Sequence, residues 1–429
     1  MSITKAMYAG VSGMSAESDA LGVVGDNVAN VNTIGFKKSR AHFEDVLGGA
    51  IGQPGQVGAG VHMSRAQQIF AQGTILNTGE ATDLALSGDG FFVVKGALGG
   101  VDGTFFTRAG QLTVRSDGVL VNPGGMAVQG YKGLGGGNFD NAVTDIQLST
   151  AQLPPRPTGK IGLTANLDAS ATPPAGPWDP QNPSTTSNLS TSITVYDSLG
   201  KAHAVDVYFR AAGNGQWEMH ALAKGSELAG GPANQNVEIA TGNITFTSSG
   251  ALQDFQITSG GTASFGGAAA NQAITFDLGK PIAQGGTGLG GTTQFGAASA
   301  ITSQSQDGYT SGDLAGVKIE ADGTVNGVYS NGQTVAAGKL AIAKFRSNDG
   351  LARAGHGLWS ATRESGEAAL GASSTGGRGA IVSGALEQSN VDVAEQFVDL
   401  IAHQRAFQAN SKTITTADEM LQEVMQIKR

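Results

Sequence analysis

The two ends of the chain carry apolar residues at seven-residue intervals. The repeat near the amino terminus consists of Met7, Met14, Leu21 and Val28, and the repeat near the carboxyl terminus of Val393, Leu400, Phe407, Ile414 and Leu421. Such a repeat gives a helix one narrow apolar seam, through which helices pair in coiled coils. The pattern predicts a helix over 3–31 and another from about 391 to the end. We expect the two to pair with each other and to mediate self-assembly.

Between these segments, short runs alternate apolar and polar residues as β-strands do. Examples are 91–94, 193–196, 205–209 and 217–222, and turn residues such as Asp117-Gly118 separate the runs. Because successive strand side chains point to opposite faces, this alternation indicates strands with one buried face. We therefore expect a mainly β protein with terminal α-helices, the helices paired as a coiled coil and two β-rich domains between them.

The order of the segments predicts nested, discontinuous domains. Proline-rich stretches at 154–157 and 173–183 mark the entrance to a separate series of strands, and the glycine tract 285–291 closes it. The predicted parts are a terminal helical core (1–31 plus 391–429), a connector (32–72 plus about 383–390), a first β domain (73–145 plus 301–382) and an inserted outer β domain (146–300).

Composition and charge narrow the classes of function. The 429 residues include 66 glycines, which suits a turn-rich β protein, and the net charge of −9 argues against nucleic-acid binding. The absence of cysteine excludes disulfides and thiolate sites. No apolar run is long enough to span a bilayer, and Gly10 and Gly13 interrupt the segment after Lys5. We expect no membrane insertion and, if the protein leaves the cell, a route that needs no cleaved signal peptide.

The chain shows no pattern of catalytic or metal-binding residues. Its six histidines (42, 62, 203, 220, 356 and 403) have no ligand spacing, which favours scattered surface or packing roles. Residues 286–291 satisfy G-x-G-x-x-G but follow no strand of a βαβ unit and open no helix, so a flexible loop is expected. These observations predict a protein that is not an enzyme and needs no cofactor or metal.

Several stretches resemble the axial proteins of the bacterial flagellum, the family of rod and hook proteins. Residues 25–37 resemble the amino-terminal signature of that family, although Asp26 stands where the family more often has asparagine. Residues 82–94 and 106–110 resemble the β region that follows, and 383–392 with 404–412 the carboxyl-terminal signature. Within the first stretch, the residues taken as a connector motif are Asn27, Asn30, Gly35 and Phe36. The middle of the chain, about 146–300, carries no motif of the family.

The resemblance implies a structural subunit of the flagellum, exported by the type III route and located outside the cell or in the basal body. It implies a helical homopolymer, a curved tube that acts as a universal joint and transmits motor torque to the filament in motility. The terminal helices would line the channel and the insert would face outward. Further implied partners are the distal rod protein, the hook cap and the hook–filament junction proteins.

Length and insert distinguish between members of this family. Distal rod proteins are shorter and lack a large second β domain, and residues 304–312 and 330–334 look like the hook version. The hook type is therefore the first interpretation and a distal rod protein the second. Two alternatives from other classes are a secreted β-rich adhesin and a glycan hydrolase that uses a pair of carboxylates.

Overall fold

The computed structural model describes residues 3–47 and 58–427. The chain forms two compact units. The first contains Met1–Thr150, Ala315–Val328 and Thr334–Arg429, and the second contains Ala151–Leu314 and Tyr329–Gln333. The predicted fold class, mainly β with helices at both ends, is confirmed. The finer division into four parts stays a prediction.

The two terminal helices are α1 (Ile3–Ala29) and α2 (Val393–Ile427). They pack antiparallel, since Gly10 near the start of α1 lies beside Ile414 in the second half of α2. Two backbone N–H groups of the first turn of α2 donate to the Asp392 carboxylate at 2.8 and 3.2 Å, which caps this helix. Among the described residues, no helix is long and apolar enough to cross a membrane.

Between the two helices, the described residues form 29 strands. In order they are β1 Ser39–Leu47, β2 Gly58–Gln68, β3 Ile75–Asn77, β4 Leu84–Ser87, β5 Phe91–Leu98, β6 Val101–Thr107, β7 Thr113–Val114, β8 Leu120–Val121, β9 Ala127–Gly135, β10 Asn138–Asp145, β11 Lys160–Asn166, β12 Leu189–Tyr196, β13 Ala202–Gly213, β14 Gln216–Lys224, β15 Asn236–Phe246, β16 Leu252–Gly260, β17 Thr262–Ala263, β18 Gln272–Ala273, β19 Thr275–Asp277, β20 Ala300–Gln306, β21 Leu314–Ile319, β22 Thr324–Tyr329, β23 Thr334–Leu340, β24 Ile342–Lys344, β25 Ala352–Gly355, β26 Leu358–Ser360, β27 Ala369–Gly371, β28 Ala380–Ser383 and β29 Ala385–Glu387.

Strands β1 and β2 form an antiparallel two-stranded sheet against α1. Ser39 pairs with Gln68 at its base, and the backbone N–H of Val61 donates to the Ser12 hydroxyl of α1 at 3.2 Å. The sequence predicted an extended connector here but not the pairing of its two arms. Residues 48–57 of that connector lie outside the described residues.

The main sheet of the first unit has the order β21-β22-β23-β9-β5-β6-β26-β25. Its core includes Phe91, Phe106, Phe345 and Trp359, and the rings of Phe106 and Phe345 meet edge to face at 4.7 Å. Strands β28 and β29 pair with β4 and β3. The chain that leaves the sheet therefore runs back beside the segment that entered it, toward α2.

The second unit contains an antiparallel sheet of the order β12-β13-β14-β15-β16 and a smaller sheet β19-β11-β20. The predicted runs 193–196, 205–209 and 217–222 lie in β12, β13 and β14. Their alternate side chains fill one core, in which Phe209 and Trp217 are fully buried. The first two of these runs form a hairpin, since β12 and β13 pair antiparallel.

One histidine of the second unit is buried between two carboxylates. His203 Nε2 lies 3.1 Å from Asp197 Oδ2, His203 Nδ1 lies 2.9 Å from Glu227 Oε2, and the ring stacks on Phe265 at 4.1 Å. Burial alone would raise the pKa of Asp197, but hydrogen bonds from His203 and from backbone N–H groups outweigh it and lower the pKa. This histidine joins two turns to the core, and no cluster within 3–47 and 58–427 could hold a metal ion.

Candidate assembly interface

The face of α1 that packs inside the first unit consists of small residues. Its buried positions are Gly10, Gly13, Ala16, Ala20, Val24 and Asn27. The residues of the predicted seam, Met7, Met14, Leu21 and Val28, lie beside this face and are only partly buried. The seven-residue period is therefore present, but the small residues, rather than the large ones, occupy the centre of the packed face.

The side of α2 that meets α1 is polar over much of its length. Asn27 Nδ2 donates to Gln396 Oε1 at 2.7 Å, and His403 Nδ1 lies 2.6 Å from Glu17 Oε2. Buried polar groups are tolerated where their hydrogen bonds are made, and these pairs also fix the register of the two helices. The contact between the helices is thus specified by polar pairs as well as by shape.

Two glycines allow α1 to approach α2 closely. A Cβ atom on Gly13 would lie 2.7 Å from Nδ2 of Asn410, and one on Gly10 would lie 2.9 Å from Cγ1 of Ile414. By contrast, a Cβ on Gly22 would meet no atom within 4 Å. The glycines of this helix therefore divide into those that the packing requires and those that it does not.

The predicted seam of α2 lies along the margin of the same contact. Ile414 is brought against Gly10 of α1 and is partly buried, as are Leu400 and Leu421. Val393 and Phe407 remain 37% exposed. The structure thus brings part of this seam to α1 and leaves the rest available at the surface.

The outward side of α2 carries large apolar residues that the described residues leave uncovered. Phe397, Val398 and Ile401 expose 52, 68 and 49% of their surface, and Met420, Val424 and Met425 are exposed farther along the helix. This face was not predicted, although the spacing of four between Phe397 and Ile401 was a signal in the sequence. Exposed apolar patches of this kind mark interaction surfaces.

Asn27 of the connector motif joins three elements. Its side-chain amide donates to the Ser39 carbonyl of β1 and to Gln396 of α2, each at 2.7 Å, and its Oδ1 accepts the Ser39 backbone N–H at 2.8 Å. The side chain is 1% exposed, so these bonds satisfy groups that water cannot reach. Asn27 therefore fixes the end of α1 to both β1 and α2.

The other residues of the motif shape the turn after α1. Asn30 Nδ2 donates to the Asp26 carbonyl at 2.9 Å, and Asn30 Oδ1 accepts from the Thr33 hydroxyl. Gly35 has φ +70°, and a Cβ there would lie 2.6 Å from the Ala109 nitrogen, so only glycine fits. Phe36 is buried beneath the Arg353 guanidinium at 5.4 Å.

A buried ion cluster follows directly after this turn. Glu387 Oε1 lies 2.6 Å from Lys37 Nζ, Glu387 Oε2 lies 3.2 Å from Arg108, and the Gly73 N–H donates to the same carboxylate at 2.9 Å. Burial lowers the pKa of Lys37, although the charge and hydrogen bond of Glu387 oppose that shift. This cluster was not predicted from the sequence, because its members are far apart in the chain.

Family models match the chain segment by segment. The model described as "Flagella basal body rod protein" matches 7–37, and "Flagellar basal body rod FlgEFG protein C-terminal" matches 382–427. "Flagellar hook protein FlgE/F/G D1 domain" matches 85–161, and "Flagellar basal body protein FlaE D2 domain" matches 166–309. The matches therefore include much of both helices and parts of both units.

Curated relatives align with the chain over its whole length. The flagellar hook protein FlgE of Escherichia coli K12 is 34% identical over 97% of this chain and 98% of its own length. FlgE of Treponema pallidum is 33% identical over 99% and 100%. The crystal structure of Helicobacter pylori flagellar hook protein FlgE2 matches with a TM-score of 0.50 at 15% identity, over 71% of this chain and 98% of that one. The last likeness concerns the fold alone.

Proposed function

The chain belongs to the flagellar hook protein family, and from this premise we propose that its two terminal helices join it to further copies of itself in the hook. Its role is structural: it is a subunit of the hook, an extracellular part of the bacterial flagellum. The full-length relatives named above are hook proteins, which favours this member of the family over a distal rod protein and over the adhesin and hydrolase alternatives.

The observation that carries the proposal is the outward face of α2. A helix in a stable single-chain core turns its large apolar residues inward. Here Gln396 and His403 face α1, while Phe397 and Ile401 face outward and stay about half exposed. A neighbouring copy that covered this face would remove apolar surface from water, at roughly 25 cal/mol per Å².

We assign self-assembly to the predicted seams together with this face. The seams are Met7, Met14, Leu21 and Val28 on α1, and Val393, Leu400, Phe407, Ile414 and Leu421 on α2. Partly buried residues at the margin of one helix pair can become fully buried when a second pair packs beside it. Contacts between unlike surfaces of successive copies build an open helical polymer whenever their rotation does not close a ring.

The connector motif has a separate role in this proposal. Asn27, Asn30, Gly35 and Phe36 fix the helix pair to β1 and to the residues that follow β6. A tube that bends and transmits torque requires such rigid joints inside each subunit, so that movement occurs between subunits. The hook would then act as a curved universal joint between motor and filament, with the distal rod, cap and junction proteins as end partners.

The test is polymerisation of the full chain carrying Phe407→Asp or Leu400→Asp. Each change places a charge on a proposed buried seam, where an unpaired charge is costly, so the variants are expected to stay unassembled. Electron microscopy and sedimentation of concentrated protein would measure this. Circular dichroism of the unassembled variants must show that both helices persist.

Leu199→Asp provides a matched control. Leu199 lies in the second unit and is 69% exposed, so the same substitution there adds the same charge to an exposed site outside the proposed interface. We expect normal polymers from this variant. Normal polymers from Phe407→Asp and Leu400→Asp would show that the seam assignment is wrong.

A further inference from the structure

The sequence contains three Asn-Gly steps, at Asn214, Asn326 and Asn331. At such a step the backbone nitrogen of the glycine can attack the side-chain amide carbon of the asparagine, because glycine has no side chain to obstruct the approach. Asparagine is accordingly among the thermolabile residues. The reaction needs a side chain that is free to rotate and accessible to water, so the local structure decides which step reacts.

The fold protects two of the three steps. Asn326 lies in β22, is 6% exposed and donates from Nδ2 to Glu320 Oε1 at 3.0 Å. Asn331 is held at both ends of its amide, since Nδ2 donates to the Thr310 carbonyl at 2.7 Å and Oδ1 accepts the Gln333 N–H at 3.0 Å. To react, each side chain must first give up these bonds.

The third Asn-Gly pair, Asn214-Gly215, is not protected by the fold. Asn214 and Gly215 form the turn between β13 and β14, with φ of +55° and +74°, as expected for an Asn-Gly hairpin turn. Asn214 is exposed, and its amide has no hydrogen-bond partner among residues 3–47 and 58–427. Neither of the two obstacles found at Asn326 and Asn331 is present at this site.

We propose that Asn214-Gly215 is a site of spontaneous covalent modification in the folded protein. The Gly215 nitrogen bonds to Cγ of Asn214, the C–N bond of the amide breaks, and ammonia leaves with the proton that the Gly215 nitrogen gives up. Water then opens the five-membered imide at either carbonyl. The product is aspartate or isoaspartate, one water is consumed for each ammonia released, and no oxidant or other reactant is needed.

The position of the turn gives the modification a structural consequence. The turn joins Gly213 to Gln216, and a few residues away Phe209 and Trp217 belong to the buried core of the second unit. Isoaspartate adds one methylene to the backbone of a two-residue turn, which disturbs the register that such turns set. Aspartate adds a negative charge without lengthening the chain.

The experiment measures the conversion of asparagine at all three Asn-Gly pairs in one sample. The full chain is incubated at mildly alkaline pH, and digests taken over time are analysed by mass spectrometry for the change from amide to acid at each asparagine. Isoaspartate is scored with an isoaspartyl methyltransferase and a labelled methyl donor. We expect Asn214 to convert several-fold faster than Asn331, and Asn326 to be the slowest.

The same chain unfolded in urea is the control, because there all three dipeptides are free and should react at similar rates. An Asn214→Gln variant keeps the amide but lengthens the side chain, and it should remove the fastest conversion while leaving the other two unchanged. Conversion at Asn326 or Asn331 that is as fast as at Asn214 in the folded protein would overturn the proposal. Equal rates for Asn326 and Asn331 in the folded and unfolded protein would overturn it as well, because the fold would then protect neither.

Discussion

The second unit and the terminal helices bury their apolar residues in opposite ways. In the second unit, Phe209, Trp217 and Phe265 are at most 1% exposed, and they belong to one buried apolar cluster. On α2, Phe397 and Ile401 are about half exposed. One region has a complete core within the chain, and the other leaves apolar surface that the chain does not cover.

The difference indicates that one region of the chain stabilises the folded subunit and another mediates assembly. A unit that buries its own apolar residues gains its stability without a partner. A helix pair held by glycine, alanine and a few polar bonds gains less from its own packing, because the large side chains remain in water. The same chain can therefore be a folded subunit through its sheets and an assembling subunit through its helices.

The largest effect on the free energy of unfolding is expected at a core residue of the second unit. An exposed residue of α2 serves as the comparison. Trp217→Ala removes a buried ring and should lower the free energy of unfolding by about 3–5 kcal/mol. Phe397→Ala should change it by less than about 0.5 kcal/mol in the unassembled chain, since its ring is already half in water. Urea denaturation of the unassembled protein measures both, and similar losses would contradict the contrast.

A second prediction concerns the buried ion cluster of Lys37, Arg108 and Glu387. Glu387→Gln keeps the shape of the side chain but leaves Lys37 and Arg108 buried without their carboxylate. We expect a loss of about 3 kcal/mol in the free energy of unfolding.

Glu395→Gln is the control for that change. It removes the carboxylate that lies 2.6 Å from Lys38 in a pair whose Glu395 side chain is 54% exposed, and such a pair contributes less than about 1 kcal/mol. Equal effects of the two substitutions in urea denaturation would mean that burial of Glu387 is not what makes it important.

The smallest effect distinguishes the glycines of α1. Gly22→Ala meets no neighbouring atom and should stabilise the helix by about 1 kcal/mol. Gly13→Ala should lose that gain or destabilise the pair, because its Cβ would press on Asn410. Circular dichroism during thermal unfolding compares the two, and equal stabilisation would show that α1 does not need its close approach to α2.

Patterns along the chain predicted the two helices and several of the strands. The alternation at 205–209 predicted a strand that lies in β13, and the seven-residue repeats predicted α1 and α2. The pairing of β1 with β2 was not predicted, because the connector has no strong alternation. The cluster of Lys37, Arg108 and Glu387 could not be predicted either, since nothing in local sequence connects residues so far apart.

The repeats of Met7 and Leu400 determine by themselves that both ends are helical, because the period of side chains around a helix is a property of one chain. Which side of each helix faces the other was decided only in the tertiary structure. There the closest approach of two backbones is allowed where Gly10 and Gly13 have no side chain, and polar pairs such as Asn27 with Gln396 hold it. A repeat along the sequence does not specify which sides of the two helices meet, since that depends on the shape and hydrogen bonds of both surfaces together.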